Sequence, residues 1–174
     1  QGSKRQKPER RRPVPVTAPL KILITGQHGQ VSQELQQRLQ GLGELIVLGR
    51  DQLDLADADL IRKQVRAHRP GLIINAAAHT AVDLAESERE AAFAVNATGA
   101  ANLALAAAEA GADLIHVSTD FVFDGRRGRP YVETDATAPL NVYGESKLEG
   151  ERLVLQAHPQ ALILRTAWLL GGQG

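Results

Sequence analysis

The 174-residue sequence contains no cysteine. That excludes a disulfide framework, a thiolate zinc site and a cysteine nucleophile, and it fits a reducing compartment. Long hydrophobic runs are also lacking. No apolar stretch approaches the roughly 18 residues of a membrane span, and the N-terminus has no signal-peptide core. Net charge is absent as well, with 20 basic residues against 20 acidic ones and a pI near 7.2. With 43% hydrophobic and 23% charged residues, the composition is that of a soluble globular protein, and the length suits one core. The expected location is cytoplasmic, with no membrane partner and no metal site assigned.

Neutrality hides an asymmetry. Residues 1–20 carry six Lys or Arg and one Glu, leaving 14 basic and 19 acidic residues in the remainder. Lys4, Arg5, Lys7, Arg10, Arg11 and Arg12 are followed by Pro13, Pro15 and Pro19, with little apolar to bury, so residues 1–20 are expected to form a disordered basic leader. Such an arm can serve nucleic acid or an anionic surface. It is read instead as a solvated leader, with no nucleic-acid partner expected.

From Lys21 onward, short apolar runs alternate with helical patterns, which is the signature of repeated βαβ units. Candidate strands are residues 21–25, 44–48, 72–75, 113–118 and 161–166, nearly continuous in apolar residues as buried parallel strands should be. Val31, Leu35, Leu39 and Leu42 follow helical spacing after the first strand. Asp57 is a plausible N-cap for a second helix ending before Pro70. An Ala-rich segment over 88–111 is interrupted by Gly99 and closed by Gly111, and a last helix covers 141–157. Right-handed crossovers predict a doubly wound, Rossmann-like parallel sheet over 21–174, most simply in the order 3-2-1-4-5. Ligands in such sheets bind beyond the carboxyl ends of the strands, so the loops there are where chemistry should sit.

The first strand ends in Thr25-Gly26-Gln27-His28-Gly29-Gln30-Val31-Ser32 and runs into the first helix. Gly26 permits a tight turn, Gly29 lets the backbone approach a pyrophosphate, and the helix N-terminus supplies amide donors. The second strand ends in Gly49-Arg50-Asp51, where an Arg can pair with a 2′-phosphate and an acid with ribose hydroxyls; Arg50 favours NADP, and Asp51 keeps NAD open. Asp54 and Leu55 follow as a carboxylate and an apolar wall for the adenine. The third strand runs into small residues, Asn75-Ala76-Ala77-Ala78-His79-Thr80, and the fourth into Ser118-Thr119-Asp120.

Tyr143 and Lys147 stand four apart, so a helix places a phenol and an ammonium on one face. A nearby cation favours phenolate and makes the phenol a better proton donor at neutral pH.

With the glycine loop, NAAAHTAVDLAE at 75–86, STDFVFDG at 118–125, ETDATAPLNVYGESK at 133–147 and RTAW at 165–168, the chain resembles the extended short-chain dehydrogenase/reductases, and within them the dTDP-4-dehydrorhamnose reductases. The resemblance covers nearly all of 21–174. It implies that NADPH, with NADH left open, reduces the 4-keto group of a dTDP-sugar to give dTDP-L-rhamnose for cell-surface polysaccharide. In that likeness Tyr143 protonates the developing alkoxide, Lys147 lowers its pKa and bonds the nicotinamide ribose, and Thr119 bonds the substrate oxygen. Gly29, Gln30 and Val31 line the pyrophosphate, Asp54 and Leu55 the adenine, and Ala78, His79 and Thr80 the middle of the cofactor. Asp120 and Trp168 touch the sugar.

The sequence departs from the family pattern at Ser32, where a third glycine is usual, and at Gly49, where relatives can carry an acid. Family members also continue into a smaller C-terminal substrate domain, so the chain reads as the cofactor-binding half of a longer reductase, whose full-length form the resemblance allows to be a homodimer. Two other readings share these motifs: a non-catalytic NADP-binding regulatory subunit, and a nucleotide-sugar epimerase or dehydratase.

Overall fold

A computed structural model describes residues 18–167. Its centre is a five-stranded parallel sheet of β1 (Lys21–Thr25), β2 (Glu44–Leu48), β3 (Leu72–Asn75), β4 (Asp113–Thr119) and β5 (Leu162–Thr166), in the order β2-β1-β3-β4-β5. The expected doubly wound parallel class is present, but the order 3-2-1-4-5 is not. β3 crosses over β1 to pair with its far side, with Ile24 opposite Ile74 and Thr25 opposite Asn75. Both orders satisfy right-handed crossovers; the one observed takes β3, with Ile73 and Ile74 buried, into the sheet centre and leaves the half-buried β2 at the edge. The correction moves the switch point to the gap between β1 and β3.

Helices α1 (Gln30–Arg38), α2 (Ala58–His68), α3 (Val82–Ser87), α4 (Arg89–Phe93), α5 (Ala100–Ala110) and α6 (Val142–Ala157) connect the strands. α2, α5 and α6 share one face, where Leu23, Ile73 and Leu114 of the sheet meet Ile61, Val65, Leu103 and Val154. Each of the larger side chains contributes roughly 1.5–3 kcal/mol by leaving water. The opposite face is covered by α1, whose Leu35 packs with Leu39 against Ile22, Ile24 and Ile74. Leu42, expected to continue this helix, lies past its end and is exposed.

Asp57 caps α2 as expected, its Oδ1 accepting from the backbone N–H groups of Asp59 and Leu60 at 3.0 and 2.9 Å. The Ala-rich segment differs from expectation. Gly99 does not interrupt it; α4 passes through a π-helical turn, Ala94–Gly99, directly into α5, because close packing of Gly99 on the Leu55 carbonyl outweighs glycine's low helix propensity. The whole run Arg89–Ala110 is long and apolar enough to cross a membrane by length and composition, which corrects the expectation that no stretch comes near that size. Here its buried side, including Ala92, Ala97, Leu103 and Ala107, packs in the core.

Of the expected leader, residues 1–17 lie outside the described residues. Leu20, at its end, already joins the sheet, its carbonyl accepting from Glu44 N–H at 2.8 Å.

Candidate active site

The switch-point crevice opens where β1 and β3 part. Gly26 has φ +81°, and a Cβ there would lie 3.0 Å from Ala77 Cα, so a side chain would close the gap. α1 begins at Gly29 without a side-chain cap and without an acidic residue in its first turn. α2 and α6, by contrast, are capped by Asp57 and Asn141 and carry Asp59 and Glu145 in their first turns. The end of α1 that faces the crevice is thus left free for an anion.

Gly26, Gly29, Arg50, Asp54, Leu55, Ala78, His79 and Thr80, all expected at a cofactor, line this crevice together. Arg50 is largely exposed, and its Nε lies 3.4 Å from Asp54 Oδ2. Ser32 is fully buried, and its hydroxyl accepts from Gln36 Nε2 at 3.3 Å, so the departure from glycine is accommodated.

A second hollow continues from the first through shared walls of Ala76, Ala78 and Thr80. Into it come Gln30 and Val31 from α1, Thr119 and Asp120 from the end of β4, and Tyr143 and Lys147 from α6. Trp168 lies outside the described residues. α6 is aimed by its N-terminus: Asn141 Oδ1 accepts from Gly144 N–H at 2.7 Å, Glu86 Oε1 accepts from Val142 N–H at 2.8 Å, and Arg89 pairs with Glu145 at 2.7 Å. Phe121 meets the Tyr143 ring edge-on, 5.5 Å between centroids.

Lys147 is 1% exposed, and its Nζ donates to the Val117 carbonyl at 2.7 Å. Burial pulls its pKa down to about 8, with Glu151 acting in the opposite direction. The Tyr143 phenol corrects an expectation: burial raises its pKa above the ordinary value, a hydrogen bond with Thr119 lowers it, and Asp120 raises it. Lys147 does not offset this, because its ammonium is turned to Val117.

Several buried polar residues hold this geometry without having been singled out in the sequence. Asn96 Oδ1 accepts from His79 N–H at 2.8 Å, and its Nδ2 donates to the His79 carbonyl at 3.1 Å and to Ser146 Oγ at 3.0 Å. Ser146 in turn donates to the Tyr143 carbonyl at 2.8 Å. The cofactor-side loop and α6 are thereby tied through one amide in the π turn. Gly150 of α6 admits this turn, since a Cβ there would overlap the Asn96 carbonyl.

Across the sheet, Ala77 N–H donates to Thr25 Oγ1 at 3.1 Å, Thr25 to Asn75 Oδ1 at 2.8 Å, and Asn75 Nδ2 to His116 Nδ1 at 3.0 Å. Burial and the neighbouring Lys147 lower the His116 pKa to about 3, so the ring is neutral. Asn96 and Asn75 were detectable as polar residues inside apolar patterns.

A groove with an open helix end, a wall of alanines and a set of phenol, ammonium and hydroxyl can hold a dinucleotide and transfer a proton to a carbonyl oxygen. Comparison with known proteins agrees in kind. The family model described as RmlD substrate binding domain matches residues 20–174. The dTDP-4-dehydrorhamnose reductase of Escherichia coli (strain K12) is 48% identical over 159 residues, covering 89% of this chain and 53% of that protein. The Sinorhizobium fredii enzyme of the same name is 45% identical over 155 residues, covering 89% and 52%. Among solved structures, a dTDP-4-dehydrorhamnose reductase from Bacillus anthracis in complex with NADP has a TM-score of 0.87 at 39% identity, covering 91% of this chain and 57% of that one. One from Clostridium acetobutylicum has a TM-score of 0.85 at 43% identity, covering 88% and 55%. The chain spans about half the length of the curated relatives it matches.

Proposed function

The chain belongs to the RmlD substrate binding domain family, and from that premise we propose that it carries the cofactor-binding and proton-donating part of a dTDP-4-dehydrorhamnose reductase. The observation that carries the reading is the continuous groove in which the open end of α1 leads past the alanine wall to Thr119, Tyr143 and Lys147.

The residues fit a dinucleotide. The gap at Gly26 admits no side chain, the end of α1 has no competing cap or acid, and His79 Nδ1 is buried without a partner among the described residues. Gly29, Gln30 and Val31 would hold the pyrophosphate, Asp54 and Leu55 the adenosine, and Ala78, His79 and Thr80 the central part. Arg50 supports NADPH as the preferred cofactor, in keeping with the NADP found in the Bacillus anthracis relative. When bound, the reduced nicotinamide supplies a hydride.

Tyr143 donates its phenolic proton to the 4-keto oxygen of dTDP-4-dehydrorhamnose as the carbonyl carbon is reduced, leaving an alcohol and a phenolate. A phenol with a raised pKa is fully protonated at neutral pH and ready to donate; the phenolate left behind is stabilised by Thr119, and Lys147, which lines the same hollow, would hold the nicotinamide ribose. Thr119 and Asp120 stand at the sugar side. The reading carries a cytoplasmic setting with it.

The test follows NADPH oxidation in the presence of dTDP-4-dehydrorhamnose, with this chain alone and with it joined to the C-terminal half of a relative. Consumption that disappears in Tyr143→Phe while NADPH still binds is the expected result. A joined protein that binds NADPH and never consumes it would sink the reading.

A further inference from the structure

Three charged side chains stand in a row behind the site. Lys147 and Glu151 are one turn apart on α6, 1% and 5% exposed, and Arg165 comes from β5. An ammonium and a carboxylate buried at that spacing would ordinarily pair with each other. Glu151 is engaged elsewhere. Its Oε1 accepts from Ser118 Oγ at 2.6 Å and from Arg165 Nε at 2.9 Å, and its Oε2 accepts from Arg165 Nη2 at 2.6 Å. Among the described residues no ion pair includes Lys147.

The guanidinium is fixed in turn by the Phe123 ring, 5.0 Å from its centroid, and Phe123 stacks on Tyr131. Ser118 and Arg165 are register partners of β4 and β5, and the next pair along is Thr119 with Thr166. The fork therefore sits one step behind the hydroxyl of the site.

We propose that Arg165 is a positioning residue for the reduction: by occupying both oxygens of Glu151 it withholds from Lys147 the carboxylate one turn away, and leaves the ammonium on Val117, in the hollow that it shares with Tyr143. Its importance to catalysis rests on the role given to Lys147 above. A lysine locked to Glu151 would be drawn along α6, away from the crevice. The charged or titratable groups around Lys147 are Tyr143 and Glu151 on α6, His116 on β4, Asp120 after β4 and Arg165 on β5. His116 is neutral, and Glu151 is the anion that acts on Lys147.

The chain has five lysines, Lys4, Lys7, Lys21, Lys63 and Lys147, so the side-chain NMR signals of labelled lysine can be followed against pH, with Lys147 assigned by its loss in Lys147→Arg. In Arg165→Met the Lys147 midpoint is expected to rise by about one unit or more, because Glu151 is released to it. In Glu151→Gln it should fall, and the double variant should lie between the two. A merely structural role would leave the Lys147 midpoint unmoved in Ser118→Ala, which changes no charge. Should Arg165→Met not fold, Ser118→Ala frees one acceptor position on Glu151 and should also raise the midpoint. A wild-type midpoint near the ordinary value of about 10, shifts of the same sign in the two single variants, or no rise in Ser118→Ala would overturn the proposal. None of these readings uses turnover, so their failure is distinguishable from failure of the reductase assignment.

Discussion

Asn96 and His79 exchange two hydrogen bonds, one in each direction, at 2.8 and 3.1 Å. A single side-chain amide thus does for a loop what a neighbouring strand does for a strand, and its remaining N–H reaches Ser146 on α6. Asn96 is 2% exposed, so truncation would leave buried peptide groups unpaired. Asn96→Ala is expected to cost about 3 kcal/mol in chemical denaturation and to weaken NADPH binding in a fluorescence titration. A loss of stability with unchanged affinity would show that the clamp serves the fold alone.

Gly26→Ala tests the gap at the switch point. The left-handed backbone costs an alanine about 1–2 kcal/mol, and the new methyl meets Ala77. NADPH affinity should fall on the order of tenfold or more, an effect of about 1.4 kcal/mol. Equal affinity in the two proteins would mean that the cofactor does not pass between β1 and β3.

His116 makes the fold sensitive to acid. Its pKa is depressed from 6.5 to about 3, by burial first and by Lys147 second. Below pH 6.5 the unfolded chain takes up a proton that the folded chain refuses, so the stability present above that pH is lost as pH falls toward 3. By about pH 4 the loss from this one ring is about 3 kcal/mol. Denaturation of wild type and His116→Gln at neutral pH and near pH 4 should show the smaller loss in the variant; identical losses would contradict the assignment.

Arg50→Ala addresses cofactor choice. Arg50 is exposed and pairs loosely with Asp54, so its removal should leave stability within about 0.5 kcal/mol. NADPH affinity is expected to drop about tenfold with NADH affinity unchanged, consistent with loss of one charge-assisted contact to phosphate. Equal losses for both cofactors would defeat the 2′-phosphate argument.

Much of this was legible in the chain. β1, β2 and β3 have the expected limits because each is a short apolar run, buried in β1 and β3 and half-buried in the edge strand β2, and β4 and β5 differ by one residue at one end. Strand order was not legible: β2 and β3 are both short apolar runs, and only the sheet shows that β3 is central and β2 a half-buried edge. Thr119, Tyr143 and Lys147 could be read from strand ends and one helical turn. The direction of the phenol's shift could not, since it depends on desolvation. Glu151 extends the four-residue ladder of Tyr143 and Lys147, a usable signal, but its partner Arg165 is distant in sequence and only the sheet brings them together.

The π turn at Ala94–Gly99 has a consequence for altering the chain's length. It holds a residue beyond what an α-helix would place in the same rise, so removing one alanine from it would restore about 3.6 residues per turn while leaving α4 and α5 in nearly the same phase. Composition and hydropathy would hardly change, yet Asn96 would swing away from His79 and Ser146. Apart from Asn96 and Gly99, the number of residues between Phe93 and Ala100 matters more than their identity, and alignments or chimeras that slip by one position there would lose the Asn96 clamp while seeming to keep every residue of it.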